Sequence, residues 1–400
     1  MRHIARRLAV LLAVTALAPS AFAQAAFAQA PGPIRIGFIS TFSGPEGAIG
    51  NDLRDGFTLA LAEAGDKMGG RPVTMFFGDD QTKPDIGRQL ADKMLESDHV
   101  QIMTGINFSN VLLGAIKPIM DAGVFYVSTN AGPSQLAGKG CQPQFFSASF
   151  QNDTLFESLG SYFDKKKIPS VYMIAPNYPA GRDMLTGFKR YYHGELMAEV
   201  YTAFPQMDFA SQIADIRARK PAAVMFFLPG GMTVNFVKQY VAAGLKDIPL
   251  YTGAGSVDAL TLPALGETAR GIIQVTNWAE ELYNPASRHF DEAFEAKYHR
   301  IPSPYAADAY DTARLLAAAI EAVHGNIEDK PAFRRALEGV KFDSVRGYFA
   351  FNTNHFPIQN FYETVIGQDA KGRWVALYKG VAVDKLQDSY AKDCHMPPAG

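Results

Sequence analysis

Three short segments concentrate hydrogen-bonding groups among small residues. They are Ser40-Thr41-Phe42-Ser43-Gly44-Pro45-Glu46-Gly47, Gly105-Ile106-Asn107-Phe108-Ser109-Asn110 and Ser128-Thr129-Asn130-Ala131-Gly132-Pro133-Ser134. Hydroxyls and side-chain amides of this kind bind and orient a small polar molecule. They do not by themselves make a reactive centre. Ser109 stands where a helix begins, so free backbone N–H groups and the positive end of the helix dipole converge beside its hydroxyl. That arrangement suits a carboxylate. A plainer account has Ser109 only capping its helix, and it is the company of the other two loops that favours binding. Four later segments add aromatic rings and backbone instead: Ala175 to Gly181 with Tyr178, Phe227 to Gly231 with Pro229, Tyr251 to Gly255 with Gly253, and Asn277-Trp278.

Sequence signatures of enzymes are missing. Gly132 to Gly140 resembles a phosphate loop, but five residues separate Gly132 from Gly138 where four are needed. Gly140 also stands where a magnesium-holding Ser or Thr belongs. Gly44-Pro45-Glu46-Gly47 puts Pro and Glu where backbone must approach a pyrophosphate, so it is not a dinucleotide fingerprint. There is no Gly-x-Ser-x-Gly and no His-Glu-x-x-His. The eight histidines are scattered, without metal-ligand spacing. No cofactor and no metal is expected.

The elements that must hold these loops alternate. Ile34–Ser40 reads as a strand, followed by a helix over Asp52 to Ala64. Next come strand Val73–Phe77, helix Pro84–Leu95, strand Val100–Met103, helix Ser109–Met120 and strand Val124–Ser128. A second series follows: helix Thr154–Phe163, strand Val171–Ala175, helix Arg182–Tyr192, an extended Glu199–Ala203, and a helix capped by Asp208 and ending at Arg219. Strand Val224–Leu228, helix Met232–Ala243, strand Leu250–Thr252 and an extended Gly271–Thr276 complete it. Two long helices open at Asn284-Pro285 and Ser303-Pro304. Strand-like pieces Gly347–Phe351, Phe361–Ile366 and Trp374–Tyr378 close the chain. Alternating strands and helices mean parallel sheets. Two such series predict an α/β protein of two doubly wound, Rossmann-like lobes. The polar loops then fall at the carboxyl ends of strands, where open α/β sheets bind ligands.

At 400 residues the chain exceeds what one hydrophobic core usually supports. Its 48% hydrophobic and 20% charged content excludes disorder. With 38 basic and 40 acidic residues there is no positive excess to neutralise phosphates, so nucleic acid is not an expected partner. Arg2, Arg6 and Arg7 precede an apolar run from Leu8 to Ala18, too short to span a membrane. Ala21-Phe22-Ala23 and Ala26-Phe27-Ala28 follow as cleavage patterns. Residues 1–28 therefore read as a secretory signal without a lipid-anchor cysteine, and the mature chain is expected in a periplasm. In that oxidising compartment Cys141 and Cys394 are most simply one disulfide, the alternative being two buried thiols.

These residues together resemble the type I periplasmic binding proteins of ABC importers, the branched-chain amino-acid binding family. The resemblance runs through Ile36-Gly37-Phe38 with Ser43-Gly44-Pro45, Gly105-x3-Ser109, Val127-Ser128 with its Asn-Ala-Gly tail, Tyr178-x-x-Gly181, and Tyr305 with Tyr310-Asp311. Cys141 to Phe146 and Asn152-Asp153-Thr154 resemble the subgroup that takes up aromatic acids. The resemblance implies three crossovers near 148–152, 276–280 and 350–356. Lobe I would comprise residues 31–148 and 280–350, lobe II residues 149–279 and 351–390, and a tail residues 391–400. It also implies a small carboxylate clamped between the lobes of a monomer and passed to a membrane permease. The family's carboxylate contacts carry over to Ser109, Asn130 and Gly132, and its aromatic contact to Tyr178. Relatives that bind amino acids hold the ammonium with an acid in the loop matching Tyr251 to Ser256. That loop has none here, and Asp258 is the nearest, which disfavours an α-amino acid. The expected ligand contacts are Phe42, Asn107, Phe108, Ser109, Ser128, Asn130, Ala131, Gly132, Tyr178, Pro229, Gly253 and Trp278. The competing readings are a receptor for a branched-chain or other aliphatic amino acid or short amide, a sensor of the same ligand, and an exported α/β hydrolase.

Overall fold

A computed structural model describes residues 32–282 and 284–399. The signal expected over residues 1–28 lies outside them. Ile34–Ser40 (β1) is buried on both faces, as a central parallel strand must be. It pairs in parallel with Arg71–Asp79 (β3) and Ile102–Thr104 (β4). Lys67–Met68 (β2), Phe125–Ser128 (β5) and Phe145–Ser147 (β6) complete a six-stranded sheet in the order β2-β3-β1-β4-β5-β6. Only the β2–β3 hairpin is antiparallel. The chain runs outward from β1 first on one side and then on the other. The strand order therefore reverses between β1 and β4, which opens a crevice at their carboxyl ends.

Helices Gly47–Glu63 (α1), Pro84–Glu96 (α2) and Ser109–Asp121 (α3) connect these strands. α1 starts five residues before the expected Asp52. A Cβ at Gly50 would lie 2.0 Å from the Thr41 carbonyl oxygen, so only glycine lets the helix begin this close beneath β1. Glycines at 47 and 50 hide that start from a propensity reading.

The second sheet has eight strands: Ser170–Pro176 (β7), Glu195–Thr202 (β8), Ala223–Phe226 (β9), Leu250–Gly253 (β10), Ile273–Thr276 (β11), Phe349–Phe351 (β12), Pro357–Gln368 (β13) and Trp374–Leu386 (β14). Its order is β12-β13-β11-β10-β9-β7-β8, with β14 paired to β13. β7 to β11 are parallel; the late strands join antiparallel. Its helices are Asn152–Lys166 (α4), Pro179–Tyr191 (α5), Ala210–Arg219 (α6), Gly231–Ala242 (α7) and Leu262–Leu265 (α8). Asp208 is not the cap of α6. Phe209 holds that place, and Asp208 Oδ1 accepts from the Ala210 N–H at 3.0 Å.

Pro285–Tyr298 (α9), Pro304–Ala322 (α10) and Lys330–Glu338 (α11) return to the first sheet. A Cβ on Gly56 in α1 would strike the Ala306 carbonyl of α10, and Phe333 of α11 meets Phe125 of β5 edge-on at 5.0 Å. The chain thus passes between the sheets three times: after β6, after β11 and ahead of β12. The third passage comes before Phe349, earlier than the expected 350–356, because β12 already pairs with β13.

One buried guanidinium ties two of these passages together. Arg346, 1% exposed, bonds Asp311 at 2.9 Å, Asp308 at 3.1 Å, the Ser149 carbonyl at 2.7 Å, Gln359 at 2.9 Å and the Ala148 carbonyl. Cys141 and Cys394 form a disulfide, with Cα atoms 5.7 Å apart. No described helix is long and apolar enough to cross a membrane.

Candidate functional site

The strand-end loops of the two sheets face each other across a slot. It is narrow: the cavity that a water-sized sphere can enter is about 30 Å³. From the first sheet come Ile49, Asn107, Phe108, Ser109, Asn130 and Ala131. From the N-terminal part of α10 come Pro304, Tyr305 and Asp308. The opposite wall is Phe150, Asn152, Leu155, Tyr178, Ala180, Met184, Phe227, Pro229, Ala254 and Gly255.

One end is rich in donors. Gly105, at φ +98°, turns the chain sharply after β4. A Cβ there would lie 2.5 Å from the Phe38 ring, so glycine is required. The turn delivers Asn107 and Ser109. Asn107 Oδ1 accepts from Ser40 Oγ at 3.3 Å and from the Thr41 N–H at 3.2 Å, which orients its amide. Asn107 Nδ2 is then left buried without a partner. Ser109 is the first residue of α3 rather than its cap, a place that Phe108 takes in extended backbone. The first helical bond runs from the Leu112 N–H to the Phe108 carbonyl, so the N–H groups of residues 109–111 precede the ladder. Ser109 Oγ accepts from Asn152 Nδ2 at 3.1 Å, which keeps its own proton available to donate. Asn130 donates to the Asn107 carbonyl at 2.7 Å and leaves its Oδ1 unpartnered.

The walls are aromatic. Tyr178 meets Phe108 edge-on at 6.4 Å and stacks within 16° of Phe227 at 6.3 Å. Phe204 backs Tyr178 at 4.6 Å, nearly parallel. Burial, together with the charges of Glu46 and Asp183, pushes the Tyr178 hydroxyl pKa upward, so the ring stays neutral.

Behind the slot, hydrogen bonds cross from one sheet's elements to the other's. Asn152 opens α4, accepts from the Gly132 N–H at 3.1 Å, and donates to Asp183 Oδ2 at 2.9 Å as well as to Ser109. Asp183, on α5, also accepts from the Ser134 N–H at 3.0 Å and from Ser134 Oγ at 2.7 Å. Burial raises the Asp183 pKa, against the pull of those donors.

Acids near the slot are engaged or buried. Asp308 pairs with Arg346 and accepts from Asn277 at 3.0 Å; burial still pushes its pKa to about 7. The loop after β10 offers the slot only Ala254 and Gly255. Asp258, further along, accepts from the Leu260 N–H at 2.9 Å. Among the described residues no group of three His, Cys, Asp or Glu could hold a metal ion.

A family model described as "periplasmic binding protein" matches residues 33–371. The chain belongs to the periplasmic binding protein family. A Leu/Ile/Val-binding protein homolog of Brucella melitensis is 29% identical over 324 residues, 78% of this chain and 82% of its own. The solute-binding protein of an ABC transporter from R. palustris, solved in complex with benzoate, aligns with a TM-score of 0.86. It is 28% identical, over 91% of this chain and 100% of its own. An ABC transporter substrate-binding protein from Sphaerobacter thermophilus aligns at 0.83 and 29% identity, over 88% and 99%. The architecture is the type I periplasmic binding fold, and the protein is a solute-binding protein of the ABC-transporter kind.

Of the twelve expected contacts of this binding protein, seven line the slot: Asn107, Phe108, Ser109, Asn130, Ala131, Tyr178 and Pro229. Five do not. Phe42 stacks on Phe38, and its N–H donates to Asp79 at 2.9 Å. Ser128 Oγ closes a local turn onto the Ala131 carbonyl at 2.7 Å. Gly132 packs so tightly that a Cβ would lie 2.1 Å from the Phe150 carbonyl oxygen, and Asn152 takes its N–H. Gly253 backs onto the Phe156 ring. Trp278 is buried against Phe290, its indole N–H donating to Ser287 at 3.0 Å, where it fixes α9. Among the slot residues, sequence reasoning missed Asn152, Phe227, Tyr305 and Asp308. Asn152, Tyr305 and Phe227 carried a signal, in the Asn-Asp-Thr segment, beside Tyr310-Asp311 and in the Phe227 to Gly231 segment, but none was singled out as a contact.

Proposed function

We propose that this protein is exported by residues 1–28 to a periplasm, works as a monomer, and binds an aromatic carboxylate that it hands to an ABC permease. The lobes in this reading are residues 31–148 with 280–348 and residues 149–279 with 349–390, the last boundary moved by the β12 pairing. The observation that carries it is the pairing of a donor-rich end with a thin aromatic slot. Asn107 Nδ2, the Ser109 hydroxyl and the first turn of α3 supply donors and no cation. A carboxylate matches them, each charge-assisted bond contributing about 1.5–3 kcal/mol. A flat ring suits walls built from Phe108, Tyr178 and Phe227. Burying about 100 Å² of it contributes about 2.5 kcal/mol. The benzoate held by the R. palustris relative supports this chemistry.

An aliphatic α-amino acid, which the name of the Brucella relative suggests, would bring an ammonium into the closed slot. The loop after β10 has no carboxylate to meet it. Transport needs only reversible capture: lobe closure stabilised by the ligand shifts the population that the permease meets. Titration calorimetry with benzoate, phenylacetate, leucine and isoleucine tests the reading. Benzoate-type acids are expected to bind at micromolar Kd or tighter. Leucine binding without any aromatic acid binding overturns it.

A further inference from the structure

Glu46 is a buried acid that the carboxylate site does not use. It ends the loop after β1, is 4% exposed, and neither carboxylate oxygen has a hydrogen-bond partner. Its side chain crosses toward the second sheet. A Cβ at Gly230 would lie 2.1 Å from Glu46 Oε2, and Gly230, at φ +53°, leaves that space open. Gly230 is next to Pro229, a slot residue, and Ile49, one turn along α1 from Glu46, also lines the slot. The Glu46 charge is felt at the hydroxyls of Tyr178 and Tyr305, both slot residues. The Glu46 carboxylate thus lies against the loop after β9, whereas the donors at Asn107 and Ser109 stand on the loop after β4.

A carboxylate buried without partners is costly, and burial alone pushes the Glu46 pKa to about 7. No side chain or backbone group of the described protein meets either oxygen, so a donor on a bound molecule would find a ready acceptor there.

We infer that Glu46 is a specificity residue that accepts a hydrogen bond from a hydroxyl or amino group on the ligand's ring, remote from its carboxylate. The inference rests on the aromatic-carboxylate reading and deepens it: the solute class becomes ring-hydroxylated or ring-aminated aromatic acids. A ligand lacking the donor closes the slot over an unpaired acid and binds more weakly, as sites built to hydrogen-bond a substrate group discriminate against analogues without it. A methyl ether in the same place offers no donor and fares no better.

The test is calorimetric titration of the full protein and of Glu46→Gln and Glu46→Ala with benzoate, 3-hydroxybenzoate, 4-hydroxybenzoate, 4-aminobenzoate and 4-methoxybenzoate. The native protein is expected to prefer at least one donor-bearing acid over benzoate by about tenfold or more, and to disfavour the methoxy acid. In Glu46→Ala the preference falls to about onefold while benzoate itself binds as well or better, since no charge remains to be buried. Glu46→Gln lies between. Because the Glu46 side chain makes no bond within the protein, both variants should melt within a few degrees of the native chain. Benzoate binding with no preference for a donor, or a preference that survives Glu46→Ala, overturns the role of Glu46 alone. Failure of every aromatic acid to bind overturns the aromatic-carboxylate reading and this inference with it.

Discussion

Replacing Ser109 by alanine removes one hydroxyl that works in two directions. Toward the slot, it takes away a donor to the ligand carboxylate. Toward the protein, it takes away the acceptor of Asn152 Nδ2, at 3.1 Å. The first loss is a charge-assisted hydrogen bond of about 1.5–3 kcal/mol, roughly a 10- to 150-fold weaker Kd. The second is smaller, because the Asn152 amide keeps its bond to Asp183 at 2.9 Å. One N–H left short costs about 1 kcal/mol, which moves the melting temperature of a chain this size by a few degrees at most. Affinity and stability therefore separate. Calorimetry with an aromatic acid reads the first, and thermal unfolding of the ligand-free protein reads the second. An affinity within about twofold of the native value would remove Ser109 from the carboxylate site. A large drop in melting temperature with proportionate loss of binding would make its role structural.

Asp183→Asn should disturb closure, because Asp183 accepts two hydrogen bonds from Ser134 across the two halves and a third from Asn152 of its own half. Ligand affinity should fall about tenfold or more, with a larger radius of gyration in solution scattering; unchanged scattering and affinity refute it. Arg346→Met strands Asp308 and Asp311 in the interior and should cost about 3–5 kcal/mol in urea unfolding. A loss below about 1 kcal/mol would mean that the network contributes little. Burial raises the pKa of Asp52 to about 6, and of Glu46, Asp153, Asp258 and Asp308 to about 7. Each is raised above its ordinary value, so the stability it brings is full below about pH 4 and is lost as pH rises toward 7. His355, lowered by burial, opposes this below about pH 6.5. Five acids outweigh one histidine, so the melting temperature should fall between pH 5.5 and pH 8; a rise would contradict the assignment.

The parallel strands were legible because buried strands on both sheets are short apolar runs ended by glycine, serine or asparagine. Their carboxyl ends pointed to loops that line the slot. Which residue in a loop faces the slot was not legible, since backbone turning decides it. Ser128 folds back on Ala131, Phe42 turns onto Phe38, and Gly132 is consumed by packing against Phe150. At helix starts the residues were visible but their direction was not: Asn152 and Tyr305 come from α4 and α10, and the 3.6-residue pattern of a helix says nothing of where its first turn points. β6 is too short to announce itself. α11 could have been found, since Asp329 caps it, a proline follows at the start, and Phe333 and Leu337 share a buried face.

The disulfide bears on how far the two halves can part. Tyr390 is held to the second half by Arg190 and Asp153 at 3.0 Å each, and four residues later Cys394 is bonded to Cys141 beyond the first sheet's β5. Four residues reach about 14 Å at full stretch. The C-terminal tail is therefore a short leash fastened at both ends, and any gape must swing about that corner with the far lip travelling most. Cutting the leash with a reductant would widen the arc without touching a single group that meets the solute.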